Sequence, residues 1–131
     1  MASNDKQTSK NRHFFQSLRH ALAGLRTFFI EEGNFRREFG LSALVIIAGL
    51  ILRISWFDWF MITLAILLVF LSELWNTIIE NVVDFIIGTK YDIRAKKIKD
   101  MSAGAVVLAG VVAVVCGLYV FIPAVIKFIW G

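Results

Sequence analysis

An all-α integral membrane fold is what this sequence predicts: an amphipathic surface helix followed by three membrane-crossing helices. Three observations lead there. The 131-residue chain is 58% hydrophobic and holds a single proline, an apolar excess rarely carried by a soluble domain of this size. Its apolar residues gather in runs suited to a hydrocarbon layer about 30 Å thick. Its 14 Lys and Arg residues, which give a net charge of +4, flank those runs, so membrane phospholipid rather than nucleic acid is the expected partner of the basic groups.

The elements follow in chain order. Residues 1–11 are polar and without an apolar core or a small-residue cleavage site, so a disordered tail and no signal peptide are expected. In 12–31, Phe14, Leu18, Ala21, Leu22, Leu25, Phe28 and Phe29 recur at helical spacing, with Arg12, Gln16, Arg19 and Arg26 largely elsewhere. That pattern suits a helix lying in the headgroup region. The first span is 35–52. Its fully apolar part, Leu41 to Leu52, is short, so Arg36, Arg37 and Glu38 must sit at the interface; about 18 residues then cover roughly 27 Å. Arg53 to Asp58 is a short turn, with Trp56 and Trp59 as an aromatic belt at the far face.

The second span, 57–87, is too long for the bilayer: about 31 residues make roughly 46 Å. Its apolar part runs from Phe57 to Leu71, which puts Glu73 at or just beyond the inner interface. Gly88 and Thr89 end it, and Lys90 to Asp100 reads as a compact basic loop. The third span, 101–122, is expected to stop at Pro123. Ala105, Ala109 and Ala113 form one ridge of small residues, Gly110 and Gly117 another, and such ridges let helices approach closely in lipid. Cys116, the only cysteine, lies in an apolar run and reads as a buried structural thiol. Seven Lys and Arg residues precede the first span, one lies between the first two, five lie between the last two and one lies at the end. The expected placement is therefore a multi-pass membrane protein with its N-terminus cytoplasmic and its C-terminus outside.

One stretch carries chemistry. Relative to Glu73, a period of 3.6 residues puts Asn76 near −60°, Thr77 near +40°, Glu80 near −20° and Asp84 near +20°, all about one stripe. Leu74, Ile78, Val82 and Phe85 occupy other faces. Ionisable groups near membrane depth are costly and are kept mainly where they serve a site or pathway. Carboxylates at this spacing suit Mg²⁺, which takes one or two and completes its shell with phosphate oxygens and water. Glu80 is one ligand candidate, and Glu31 or Glu32 another. A further carboxylate can accept a hydroxyl proton while Lys residues of the 90–100 stretch hold phosphates, which is the division of labour in phosphoryl transfer. Blander readings exist: a Glu in a packing ion pair, Lys96 and Lys97 on lipid headgroups, His13 and His20 simply at the interface. No phosphate-loop signature and no His/Cys metal spacing is present.

Glu73-x-x-Asn76-Thr77-x-x-Glu80-x-x-Val83-Asp84, followed by Ala95-Lys96-x-x-Lys99-Asp100 and a small-residue run, resembles the prokaryotic diacylglycerol kinase family. Gly24-Leu25-Arg26 and Glu31-Glu32-x-Asn34-Phe35-Arg36 fit as well. The resemblance covers about Phe14 to Phe121. It implies a homotrimer with sites shared between subunits, MgATP as phosphate donor and a lipid alcohol as acceptor. Glu73 is then the base, and Glu32 and Glu80 hold the metal at the ATP phosphates. Lys90, Tyr91, Asp92, Lys99 and Asp100 contact the nucleotide, with His20 standing where some members carry a nucleotide-contacting tyrosine. Asn76, Thr77, Asp84 and Arg26 are implied in supporting roles. The Glu-Glu-x-Asn-Phe-Arg junction and the ending Gly117-Leu-x-Val-Phe-x-Pro123 look most like the undecaprenol kinases of Gram-positive bacteria, with diacylglycerol as the alternative acceptor.

Two other classes compete. An ion or proton pathway needs polar groups at several depths, and Phe57 to Leu71 offers only Asp58 and Thr63. A purely structural oligomer has no use for the acidic stripe.

Overall fold

The computed structural model describes the backbone from Ala2 to Gly131 and the side chains from His13 onward; Met1, the first residue of the expected tail, lies outside the described residues. Four helices follow one another: α1 (Ala2–Glu31), α2 (Gly33–Leu52), α3 (Trp56–Ile87) and α4 (Ile93–Trp130). The chain divides into two compact units, one ending at Arg37 and one spanning Glu38–Gly131.

In the first unit, α1 starts ten residues before the expected 12. The stretch taken for a disordered tail contains Lys6, Gln7 and Lys10 and no glycine or proline. Its residues therefore extend an already nucleated helix at small cost. Only Glu32 separates α1 from α2, and even there the bonding continues: the Glu32 N–H donates to the Phe28 carbonyl at 3.0 Å and the Arg36 N–H to the Glu32 carbonyl at 3.4 Å. Phe35 fixes the junction. Its ring centroid lies 4.5 Å from that of Phe28 and 5.6 Å from that of Phe29. The Arg36 guanidinium donates back to the Ile30 carbonyl. Phe28 is buried, whereas Phe14, Phe15, Leu18, Leu22 and Leu25 remain exposed, the apolar surface expected of a helix bound for the headgroup region.

In the second unit, α2 ends in a Schellman turn. Arg53 adopts the left-handed conformation at φ 51°, the Arg53 N–H donates to the Leu50 carbonyl at 3.3 Å, and the Ile54 N–H donates to the Gly49 carbonyl at 3.2 Å. These are the two bonds of that motif. A capping box opens α3. The Asp58 N–H donates to Ser55 Oγ at 3.2 Å, and the Ser55 N–H donates to Asp58 Oδ2 at 3.1 Å. Asp58 is therefore explained as a cap. Gly49 is buried where the turn folds back: a Cβ there would lie 2.9 Å from the Trp59 ring and 3.0 Å from Ile54 Cδ1.

The close packing is between α3 and α4. The residues lining shared clefts run in opposite order along the two helices, Val83 with Ala95 and Ile98, then Ser72 and Asn76 with Ile98 and Ser102. The helices are thus antiparallel. On α4 the buried positions are Ala95, Ser102, Ala109 and Val120. The first three are seven residues apart, the repeat of a left-handed helix pair. Ala109 alone of the predicted alanine ridge is buried. Gly110, Ala113 and Gly117 instead line a cavity of about 520 Å³ among α2, α3 and α4. Cys116 is half-buried rather than buried.

Both ends of α4 correct the sequence reading. The helix starts at Ile93, so most of the expected basic loop is its first two turns. Asp92 caps it, accepting from the Arg94 N–H at 2.7 Å, and Ala95, Lys96 and Lys97 favour helix. It also runs through Pro123 to Trp130. Proline removes one backbone donor, but the apolar residues after it gain more by keeping their remaining backbone groups paired in a helix than by leaving it in lipid. The expected 57–87 span, by contrast, coincides with α3 within one residue.

Two helices, α3 and α4, are long and apolar enough to cross a membrane. The 20-residue α2 carries Arg36, Arg37 and Glu38 in its first two turns and falls short of that standard. The large exposed apolar surface of α4, including Val107, Leu108, Val114, Val115 and Leu118, is the surface of a helix solvated by lipid or by other helices.

The α2–α3 turn yields a paired prediction. Gly49→Val overpacks the Trp59 contact and lowers unfolding stability by about 1–3 kcal/mol. Arg53→Gly relieves the left-handed residue and raises stability by about 1 kcal/mol. Unfolding in detergent, followed by circular dichroism, checks both signs.

Candidate active site

The site grows from one face of α3. Helical pitch sets Glu73, Asn76, Thr77 and Glu80 along that face. Glu73 is the buried carboxyl, 9% exposed, and Asn76, Thr77 and Glu80 are half-buried. Asn76 Nδ2 donates to Glu80 Oε1 at 3.2 Å. This i, i+4 bond holds one Glu80 oxygen. Asn76 Oδ1 is buried without a partner.

A residue that sequence reasoning left at the membrane interface joins the site. Glu38, from α2, is half-buried, and its carboxyl lies near enough to that of Glu73 for the two to interact electrostatically. Its Oε2 is buried and unpartnered. Glu38 is also the one ionisable residue lining the 520 Å³ cavity, whose other walls include Val45, Ile66, Val69 and Ala113. The available signal was that Glu38 precedes the apolar run of α2 and Glu73 follows that of α3, which in consecutive crossing helices puts both at the same side of the apolar layer.

The α3–α4 connection gathers the charges. Lys99 Nζ donates to both oxygens of Asp84, at 3.1 and 3.0 Å. This pair ties the end of α3 to the second turn of α4. Sequence reasoning did not pair them, although a short antiparallel hairpin brings positions 84 and 99 level. Lys96 and Asp100 form an i, i+4 ion pair on the exposed side, and Arg94 pairs with Asp92 at 3.0 Å. Lys90, Tyr91 and Lys97 stand exposed. Of the predicted nucleotide contacts, Lys90, Tyr91, Asp92, Lys99 and Asp100 therefore fall together on or beside this connection. Arg26 and His20 are exposed on α1, and Glu32 is half-buried at its end, all in the first unit.

Among the described residues no cluster of three or more His, Cys, Asp or Glu side chains suits a metal ion. Mg²⁺ does not require one, since it takes one or two carboxylates and keeps water and phosphate as its other ligands. The all-oxygen donors of α3, Glu80 with the partnerless Asn76 Oδ1 nearby, have the chemistry of such a hard-cation site.

Compared with known proteins, residues 19–121 match the prokaryotic diacylglycerol kinase family. The chain belongs to this family of lipid kinases. It is 37% identical to the undecaprenol kinase of Bacillus subtilis over 123 residues, covering 94% of this chain and 98% of that one. It is 36% identical to a diacylglycerol kinase of Synechocystis, covering 85% of this chain and 63% of that longer one. It is 34% identical to the diacylglycerol kinase of Escherichia coli K12, covering 70% of this chain and 75% of that one. The non-enzymatic readings give way to this membership.

The Asp92 cap has a pH signature. Bonds from the Arg94 side chain and backbone lower its carboxyl from 3.8 to about 2. A carboxyl depressed in the folded state contributes its stability above its unfolded value and loses it as pH falls through the folded value. Protection of the Arg94 and Lys96 amides against hydrogen exchange is therefore expected to be full above pH 3.8 and to fall away towards about pH 2. Asp92→Asn removes that dependence.

Proposed function

We propose that this protein phosphorylates undecaprenol to undecaprenyl phosphate with MgATP, at the cytoplasmic face of a bacterial cell membrane. The observation that carries the reading is the buried Glu73 carboxyl, one turn from the Asn76–Glu80 pair and at the inner end of the apolar part of α3. Choice of acceptor is supported by likeness to the Bacillus subtilis undecaprenol kinase across 98% of that protein. The likeness to diacylglycerol kinases supports the second reading, diacylglycerol converted to phosphatidic acid.

In the reaction, Glu73 takes the proton of the lipid hydroxyl as its oxygen attacks the γ-phosphorus. The bond from γ-phosphorus to the bridging oxygen breaks, and ADP leaves. Glu32 and Glu80 would hold the Mg²⁺, which neutralises phosphate charge. Asn76 keeps Glu80 in place, and Thr77 supports the same face. Lys99 and Asp100 bind the nucleotide with Lys90, Tyr91, Asp92 and His20. Asp84 presents Lys99, and Arg26 faces lipid headgroups on the surface helix. Glu32 and Glu80 lie in separate units, and a homotrimer of three-span subunits would allow sites shared between copies. An N-terminus inside and a C-terminus outside follow the distribution of Lys and Arg.

The experiment is phosphate transfer from labelled MgATP in mixed micelles, with undecaprenol and diacylglycerol offered separately. Transfer to undecaprenol is expected to be faster. Preference for diacylglycerol would select the second reading, and transfer to neither by folded protein would overturn both. Glu73→Gln should stay folded and lose about 100- to 10,000-fold in kcat, the usual contribution of a positioned base. Undiminished turnover in that variant would remove Glu73 from the role.

A further inference from the structure

We infer that Ser102 of α4 is a positioning residue for the Asn76–Glu80 pair: with Ser72 and Asn76 it binds one water molecule in the α3–α4 cleft, and that water fixes the Asn76 amide on Glu80. This rests on the reading of Glu80 as a Mg²⁺ ligand and adds to it a residue from a second helix.

Ser72, Asn76 and Ser102 line one cleft of about 380 Å³ between α3 and α4. The rest of its wall is hydrocarbon and aromatic, Trp75, Ile79 and Met101 among it. Asn76 Nδ2 donates to Glu80 Oε1 at 3.2 Å, while Asn76 Oδ1 is buried without a partner. The Ser72 hydroxyl donates to the Val69 carbonyl at 2.8 Å. Ser102 is 8% exposed, and among the described residues its hydroxyl makes no hydrogen bond.

Packing does not account for that hydroxyl. Ala95, Ser102 and Ala109 are seven residues apart on the buried side of α4, and alanine fills this repeat on either side. Alanine is also the better helix former. A serine inside a helix commonly turns its proton back to a carbonyl of the preceding turn, as Ser72 does. Ser102 does not, so its proton is available to the cleft.

Donors and acceptors in the cleft match one water. Ser102 has a proton to give. Asn76 Oδ1 can only accept, and Ser72 Oγ, its proton engaged, keeps lone pairs. A water that accepts from Ser102 and donates to Asn76 and Ser72 makes three bonds, about the usual number for a buried water, and the cleft exceeds the room one needs. The same bond orients the amide. The oxygen and nitrogen of an Asn side chain exchange places by a half-turn, and the flipped amide would set Oδ1 against the Glu80 carboxylate. A donor at Oδ1 favours the other orientation, in which Nδ2 meets Glu80. A carboxylate so held keeps its second oxygen in one place for Mg²⁺, and order set beforehand lowers the cost of binding.

The test uses full-length protein in micelles and the variant Ser102→Ala, whose side chain the seam already carries at Ala95 and Ala109. The first readout needs neither ATP nor Mg²⁺: hydrogen exchange of the Asn76 side-chain amide in ¹⁵N-labelled protein, the signal assigned by its loss in Asn76→Asp. Ser102→Ala is expected to speed that exchange about three- to tenfold, the worth of one net hydrogen bond. The second readout is kinetic, with whichever of undecaprenol and diacylglycerol accepts phosphate. Ser102→Ala is expected to raise the KM for MgATP about three- to tenfold and to leave the KM for the lipid within about twofold. In an Asn76→Ala background it is expected to change the KM for MgATP less than about twofold, because the path to Glu80 is already cut. Ser72→Ala removes another partner of the same water and is expected to shift both readouts in the same direction. A merely structural Ser102 would act alike with and without Asn76. Exchange at Asn76 that is unchanged in both serine variants, or an equal rise of KM in both backgrounds, overturns the proposal and leaves the kinase reading standing. Absence of transfer to either lipid by folded wild type overturns the kinase reading, while the exchange result still decides the Ser102 contact.

Discussion

The α3–α4 seam is the contact on which the second unit depends. Ala65 of α3 and Ala95, Ser102 and Ala109 of α4 are buried along it, and side chains this small let two long backbones lie close. In lipid, association cannot draw on the exclusion of water, so close van der Waals contact between helices replaces it. The seam also sets the site. By fixing the rotation of α3, it turns Glu73 inward, and by fixing the register of the hairpin it brings Lys99 to Asp84. Large apolar side chains on the outer faces of both helices take no part in this and remain exposed.

The site is assembled at the limit of what a low-dielectric region tolerates. Two of its polar groups are held by others: Glu80 by Asn76 and Lys99 by Asp84. Two atoms are left over, Glu38 Oε2 and Asn76 Oδ1. A buried unpaired oxygen costs about 1–3 kcal/mol, and such a cost is commonly met at functional sites. Asn76 belongs to the acidic stripe, and Glu38 lines the cavity among α2, α3 and α4.

Much of this was legible in the sequence, and what was missed has physical causes. α3 announces itself because its apolar run is long and glycine ends it; its observed bounds, Trp56 to Ile87, match the periodicity almost to the residue. The acidic stripe is legible because helical pitch alone aligns it. The start of α4 was hidden because charge was read as loop, although Asp92, Ala95, Lys96 and Lys97 form a sound capped first turn. Its end was hidden because proline was weighed as it is in water. Glu38 was missed for a different reason. Periodicity reports which residues share a face of one helix, whereas the cavity that Glu38 lines and the Asp84–Lys99 pair each join different helices and depend on tertiary register. The predicted alanine ridge failed likewise: spacing showed that small residues align, but only packing shows that Ala109 faces α3 while Ala113 faces the cavity.

The capping box at Ser55 and Asp58 has one more effect. It pins where α3 begins, immediately beside two tryptophans, a residue type that favours the membrane–water boundary. From that pinned start, Glu73 lies 18 residues along a rigid helix, a distance of about 27 Å, close to the thickness of a hydrocarbon layer of about 30 Å. The helix is in effect a ruler with its zero at one face of the hydrocarbon layer and its Glu73 mark near the other. A thicker membrane would draw that mark into hydrocarbon and a thinner one would push it into water, so bilayer thickness becomes a variable to which the surroundings of the Glu73 carboxyl are coupled.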